Sequence, residues 1–380
     1  MSAAGIIIGI LVIGLIVFVH EFGHFLIARK NGVNVPEFWI GFGPKLLSFR
    51  RGGTEFSLRP ILFGGACVFD RIDTEEDEED EEEESRTDAG RYDAARNGQT
   101  SSFVKLPMDG LLKEQSPWVR LQVLFAGPFF NLLLGFFCAL IVIGAAGIDL
   151  PRIDAVTEGY PAEEAGLESG DLITRIDGER MFTFRDLQLF MSEHAGEPLT
   201  VVYERGGEEY ETVFAPRWNE EAQTYYLGIS VSMQRAPAES AAQALRYSAH
   251  EVVYWMKYTV SALRDLVTGR IPVSSLSGPV GVVSAVSDVV EESSNDGAWY
   301  VFLNLVNIIL ILSVDIGIMN LLPIPGLDGG RILLVLVELV RGRRLPEKGE
   351  YAVTLAGVVL LFLLMIFVFF KDVAGVFGLF

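Results

Sequence analysis

Two histidines and a glutamate fall within one pentapeptide, His20-Glu21-Phe22-Gly23-His24. On a helix, residues four apart share a face, so both imidazoles can address one ion. Glu21 then stands beside a metal-bound water, where it can take a proton. A nitrogen-rich tetrahedral set suits Zn2+, which keeps one coordination position open in catalytic sites. The chain has four histidines in all, and a catalytic zinc takes three protein ligands. His194 and His250 lie on the far side of a membrane by the topology derived below. Asp328 is the better third ligand. It lies in MNLLPIPGLDGGR, Met319–Arg331, where Pro323, Pro325, Gly326, Gly329 and Gly330 interrupt an apolar helix. Broken backbone at membrane depth is tolerated where it is buried in protein or lines a wet cavity. The alternative role for Asp328 is to cap a helix after the Gly-Leu turn.

The elements that must hold these groups are apolar. Of 380 residues, 50% are hydrophobic, and the mean hydropathy is +0.35. The pentapeptide closes a first apolar run. Three more follow, near Leu121–Gly147, Tyr300–Leu322 and Tyr351–Phe370. Each is long enough to cross a hydrocarbon core of roughly 30 Å, which takes about 20 helical residues. Ionisable groups in such a helix are costly and are usually functional. No Lys or Arg precedes the first run and no small-residue cleavage site follows it, so it reads as a retained helix rather than a signal peptide. Basic residues near span ends set orientation. Arg29, Lys30, Lys45, Arg50 and Arg51 follow the first span. Arg331, Arg341, Arg343, Arg344 and Lys348 follow the third. Both termini are therefore expected outside, with the metal residues near the cytoplasmic face of the plasma membrane.

The net charge is −20, which gives no footprint for a nucleic-acid partner. Much of it sits in Asp73–Glu84, DTEEDEEDEEEE, which is expected to be a solvated, disordered loop. Cys67 and Cys138 are expected to form no disulfide. Phe38–Gly65 alternates short apolar runs around the RRGGT turn, as a hairpin does. Gly41, Phe42 and Gly43 in this segment are candidate substrate contacts, because its edge could pair with an unwound substrate strand. Ala244–Val267 mixes Tyr, Trp and aliphatics with charges, as an interfacial amphipathic helix does.

HExxH together with Asn320, Pro323, Pro325, Leu327, Asp328 and Gly329 resembles the site-2 protease family of intramembrane zinc metalloproteases. The bacterial regulator-of-sigma-E protease type is the nearer likeness. FAGPFFN (Phe125–Asn131) and LSGPVGV (Leu276–Val282) are similar to two further family segments. Asp315 departs from the pattern, where Asn is expected. The resemblance implies zinc on His20, His24 and Asp328, with Glu21 as catalytic base and Asn320 holding substrate or the oxyanion. It also implies single-span membrane substrates, namely anti-sigma factors after a first outer cut, or remnant signal peptides. The segment YPAEEAGLESGDLITRIDG, Tyr160–Gly178, looks like a bacterial-type PDZ domain, whose sheet edge would take an extended peptide ligand.

The expected fold is a polytopic α-helical membrane protein with four transmembrane helices, a membrane-associated β-hairpin and one inserted extracytoplasmic PDZ domain. Residues 1–30 form the first helix, 31–70 a re-entrant hairpin, 71–117 the acidic loop and 118–148 the second helix. Residues 149–235 form the PDZ domain and 236–298 an amphipathic helix with a linker. Residues 299–330 form the third helix, 331–350 a cytoplasmic loop and 351–380 the fourth helix. Two other classes fit parts of the pattern. One is a silent PDZ-bearing scaffold; the other is a metal transporter, whose intramembrane His and Asp would line an ion path.

Overall fold

The computed structural model describes residues 2–69, 110–194, 196–220, 224–231 and 235–376. The acidic run at 73–84 lies outside the described residues. Contacts divide the chain into two compact units. One holds the chain up to Leu132, Ser274–Glu292 and the chain from Ile316 on; the other holds Leu133–Val273 and Ser293–Asp315.

In the first unit, α1 (Ala3–Lys30) starts at Ser2, whose side chain accepts the Gly5 amide, and stops at Asn31. Its 28 residues extend about 42 Å. Ile7, Leu11, Leu15, Phe18, Phe22 and Leu26 lie exposed along one stripe, while Gly5, Gly9, His20, Gly23 and His24 are buried. Among the described residues, four helices are long and apolar enough to cross a membrane: Ala3–Lys30, Pro117–Ala146, Ala298–Leu321 and Lys348–Gly375.

Residues 37–68 form a four-stranded sheet rather than one hairpin. Its strands are β1 (Glu37–Phe42), β2 (Leu47–Arg51), β3 (Thr54–Leu58) and β4 (Ile61–Val68), in the order β2-β3-β1-β4. The expected hairpin is β2–β3. Its Gly52-Gly53 turn has φ of 60° and 83°, the mirror-image turn that suits two-residue hairpins. β1 pairs parallel to β3 and antiparallel to β4, and among the described residues no further strand pairs with β4.

Two further expectations are corrected. Residues 331–341 are helical, where a loop over 331–350 was expected. The Pro-Gly stretch ends the preceding helix, but Asp328–Arg341 carries its own amphipathic period up to a left-handed Gly342. The linker before the third span likewise holds a helix, Pro279–Ser294. Its valines are poor helix formers; packing of Val283 and Ser287 on Gly9 and Gly5 outweighs that, and Asp372 accepts the Gly278 and Gly281 amides at 2.8 Å. Just before the second span, Gly110–Lys113 makes one helical turn with Leu112 buried. With that turn as α2, the later helices are α3 (Pro117–Ala146), α4 (Pro161–Glu164), α5 (Phe184–Glu193), α6 (Ala241–Val267), α7 (Pro279–Ser294), α8 (Ala298–Leu321), α9 (Asp328–Arg341) and α10 (Glu347–Val376).

The second unit contains an α+β domain. Its main sheet runs β7-β6-β8-β9, with β6 at Leu172–Ile176, β7 at Glu179–Arg180, β8 at Leu199–Arg205 and β9 at Glu208–Phe214. Asp177-Gly178 and Gly206-Gly207, all at positive φ, turn its hairpins. Ile153, Ile173, Ile176, Leu187, Leu199 and Val201 fill its core. Thr183 and Asp186 form a reciprocal cap on α5. His250 of α6 hydrogen-bonds Asp186 at 2.8 Å. Burial alone would raise the Asp186 carboxyl; the bonds from His250 and Thr183 reverse this and hold it below the usual carboxylate range. Asp315 of α8 meets the Thr259 hydroxyl of α6 at 2.5 Å.

Candidate metal centre

His20 and His24 are one turn apart on α1 and both are buried. Their Nε2 atoms lie 3.2 Å apart. Asp328 Oδ2 is 3.1 Å from His20 Nε2 and 3.3 Å from His24 Nε2. A tetrahedral ion with bonds of about 2.0 Å sets its ligands roughly 3.3 Å apart, so the triangle has the size such an ion requires.

The surroundings suit the same fit. His24 Nδ1 faces the Val123 carbonyl at 2.8 Å, so that nitrogen carries the proton and Nε2 offers a lone pair. Asn131 Nδ2 lies 3.4 Å from His20 Nδ1. Asp328 Oδ2 is buried against the two imidazoles. Two imidazole nitrogens and a carboxylate oxygen this close together form a donor set that suits a cation.

Helix α3 supplies the backing. Val123, Gly127 and Asn131 recur every four residues and so form one stripe. A Cβ at Gly127 would lie 2.3 Å from His24 Nε2 and 2.8 Å from His20 Cε1. Only glycine lets this helix reach the imidazoles. Asp328 opens α9 directly after the broken stretch that follows α8. Gly329 and Gly330 pack on the Leu321 and Ile324 carbonyls, with no room for a Cβ.

A cavity of about 220 Å³ lies beside the three ligands, and Glu21, Gly65, Ala66, Cys67, Asn320 and Arg331 help to line it. Glu21 accepts a hydrogen bond from the Cys67 backbone amide on β4. Gly65 makes that approach feasible, since a Cβ there would meet the Trp39 carbonyl at 2.9 Å and Glu21 Cγ at 3.1 Å.

The other expected contacts divide. Asn320 lines the cavity, with its Nδ2 donating to the Ile316 carbonyl at 3.0 Å. Pro323 and Pro325 do not line it; the Pro325 carbonyl packs on Gly357. Gly41, Phe42 and Gly43 also lie outside the lining, at the end of β1. The strand that borders the cavity is β4. Reading the sequence found FAGPFFN as a family segment but missed Gly127 and Asn131 as supports of the histidines.

The model of peptidase family M50 matches residues 8–364. The chain belongs to peptidase family M50. A relative from Clostridium acetobutylicum is 32% identical over 98% of each chain. The zinc metalloprotease RasP of Geobacillus kaustophilus is 31% identical over 96% of each chain. The regulator of sigma-W protease RasP of Bacillus subtilis is 28% identical over 97% of this chain and 98% of its own. Among solved structures, the PDZ domain of an SdrC-like protein from Listeria innocua matches 22% of this M50 chain and 93% of its own, at 28% identity and a TM-score of 0.20. The family and the apolar helices make this a multi-pass membrane peptidase.

Proposed function

We propose that this M50 peptidase hydrolyses a peptide bond within the transmembrane helix of a single-span protein, with zinc held by His20, His24 and Asp328. The observation that carries this reading is the convergence of three potential ligand atoms within 3.3 Å, beside a cavity that Glu21 lines. When bound, zinc polarises the scissile carbonyl and acidifies the attacking water. Glu21 takes the proton from that water and returns it to the leaving amine. The Cys67 amide and the close approach of Gly65 hold its carboxylate at the cavity wall. Asn320 is the side-chain amide nearest to hand for the substrate backbone.

A substrate helix must unwind before it can be cut, and its freed backbone groups need partners. Among the described residues no strand pairs the outer side of β4, and Gly65 on that strand lines the cavity, where a substrate strand could be received. The basic residues after α1 and around 341–348 favour a cytoplasmic site with both termini outside. The name of the Bacillus relative favours membrane-bound anti-sigma factors as substrates. The inserted domain, read as a PDZ fold, would select peptides trimmed outside the membrane.

The test is cleavage of a model single-span substrate by the full chain in detergent. Glu21→Gln should lower the rate by roughly 1,000-fold while zinc content stays equal to that of the unaltered protein. Equal cleavage by both proteins would remove Glu21 as the base.

A further inference from the structure

Arg120 and Glu338 form an ion pair, Nη1 to Oε2 at 2.5 Å, with side chains 8% and 7% exposed. Arg120 lies in the first turn of α3, and Glu338 lies near the end of α9. The other carboxylate oxygen of Glu338 accepts the Leu345 amide at 3.0 Å. Around it, Leu336, Val337, Leu339 and Val340 are exposed, so Glu338 is a charged residue turned inward on an apolar stretch of the helix. Two opposite charges taken out of water are compensated only in one geometry. An apolar contact between these helices could slide; this one cannot without stranding a charge.

Both helices run directly to the metal centre. One turn beyond Arg120, α3 presents the Val123 carbonyl that orients His24, and then Gly127 and Asn131. At its other end, α9 begins with Asp328, about 15 Å from Glu338 along the axis. The carboxylate of Asp328 must arrive 3.1 Å and 3.3 Å from the two imidazoles. A shift of about 1 Å along α9 would take it out of reach of an ion held by bonds of about 2.0 Å. We propose that Arg120–Glu338 is a positioning pair that fixes the register of α9 on α3 and so sets Asp328 against His20 and His24. It touches neither substrate nor metal and acts through α9. The proposal rests on the zinc reading above.

Stability and register can be separated. Replacing both partners with apolar residues of similar length, Arg120→Met with Glu338→Met, removes the buried charges together and should keep the fold. In the full chain, this double variant should melt within a few degrees of the unaltered protein yet release zinc to a chelator about tenfold faster. Its kcat should fall while KM changes little. Glu338→Asp, which keeps the charge but shortens its reach, should fall between the two and serves if the double variant does not fold. Unchanged zinc release in a folded variant overturns the proposal, as does a lowered melting temperature with unchanged release, the signature of a simple brace. Zinc release is read without any substrate. Fast release from the double variant therefore upholds the pair even if Glu21→Gln still cleaves, whereas an unaltered chain that binds no zinc removes both readings.

Discussion

In the inserted domain Ile153, Ile173, Ile176, Leu199 and Val201 fill the core, and the ion pairs Arg175–Glu209, Arg205–Glu168 and Arg217–Glu164 lie nearer the surface. Along α1 the balance differs. Ile7, Leu11 and Leu15 are exposed, and the buried face carries Gly5, Gly9, Gly14, His20, Gly23 and His24 beside Val12 and Ile16. The difference reflects the solvent each part meets. Water rewards an apolar interior, at about 25 cal/mol per Å². Hydrocarbon gives no such reward, so helices there associate through small residues and polar contacts. In the first unit the interior is therefore the place where polar chemistry gathers, and losing a small residue there should damage function more than losing a large one.

Gly127→Ala should show this most strongly. The added methyl group would overlap His24 Nε2, and zinc affinity should fall by roughly 100-fold, as for lost supports of a metal ligand. Zinc titration of the purified chain measures it; affinity within twofold of the unaltered protein would show that α3 can retreat. The matching change in the inserted domain is Ile173→Ala. It should cost that domain about 3 kcal/mol through transfer and cavity terms while leaving zinc affinity unchanged. Hydrogen exchange of the β6 and β8 amides in the full chain would report it.

The smallest effect concerns Asp171. Burial would raise its carboxyl, but Arg205 (Nε to Oδ1 at 2.7 Å) and the Glu168 amide outweigh that and hold it below the usual carboxylate range. A depressed carboxylate adds stability above its unfolded pKa of about 3.9 and loses it as pH falls through the folded value. The inserted domain should therefore weaken below about pH 4, and Arg205→Gln should flatten that dependence. Thermal unfolding of the full chain at pH 7 and pH 3 tests this; parallel losses in both proteins would count against the Arg205 contact.

Much of the centre could be read locally. His20 and His24 are one helical turn apart and Asp328 follows a broken helix, so spacing and span parity pointed to three side chains that the structure brings within 3.3 Å of one another. The Gly-Gly and Asp-Gly turns of β2–β3, β6–β7 and β8–β9 were equally plain. The parallel pairing of β1 with β3 was not, because it joins strands whose partners are set by packing rather than by a turn. Nor was α9, where two prolines and a run of glycines precede the helix and Arg341–Arg344 follows it; local punctuation suggested a loop. The supports at Gly127 and Asn131 look, in sequence, like ordinary residues of an apolar span. Their roles depend on which face meets α1, and the period of α3 alone does not fix that.

The ligands of the centre are separated by about 300 residues of chain, with His20 and His24 at one end and Asp328 at the other. At a synthesis rate of roughly 5–20 residues per second, the histidines leave the ribosome about 15–60 seconds before the carboxylate. The first helix thus enters the bilayer with two unpartnered imidazoles, and no complete ligand set exists until the third span is in place. On the proposed ligand set, metal loading is a late maturation step, and a chain stalled before Asp328 lacks one of the three ligands.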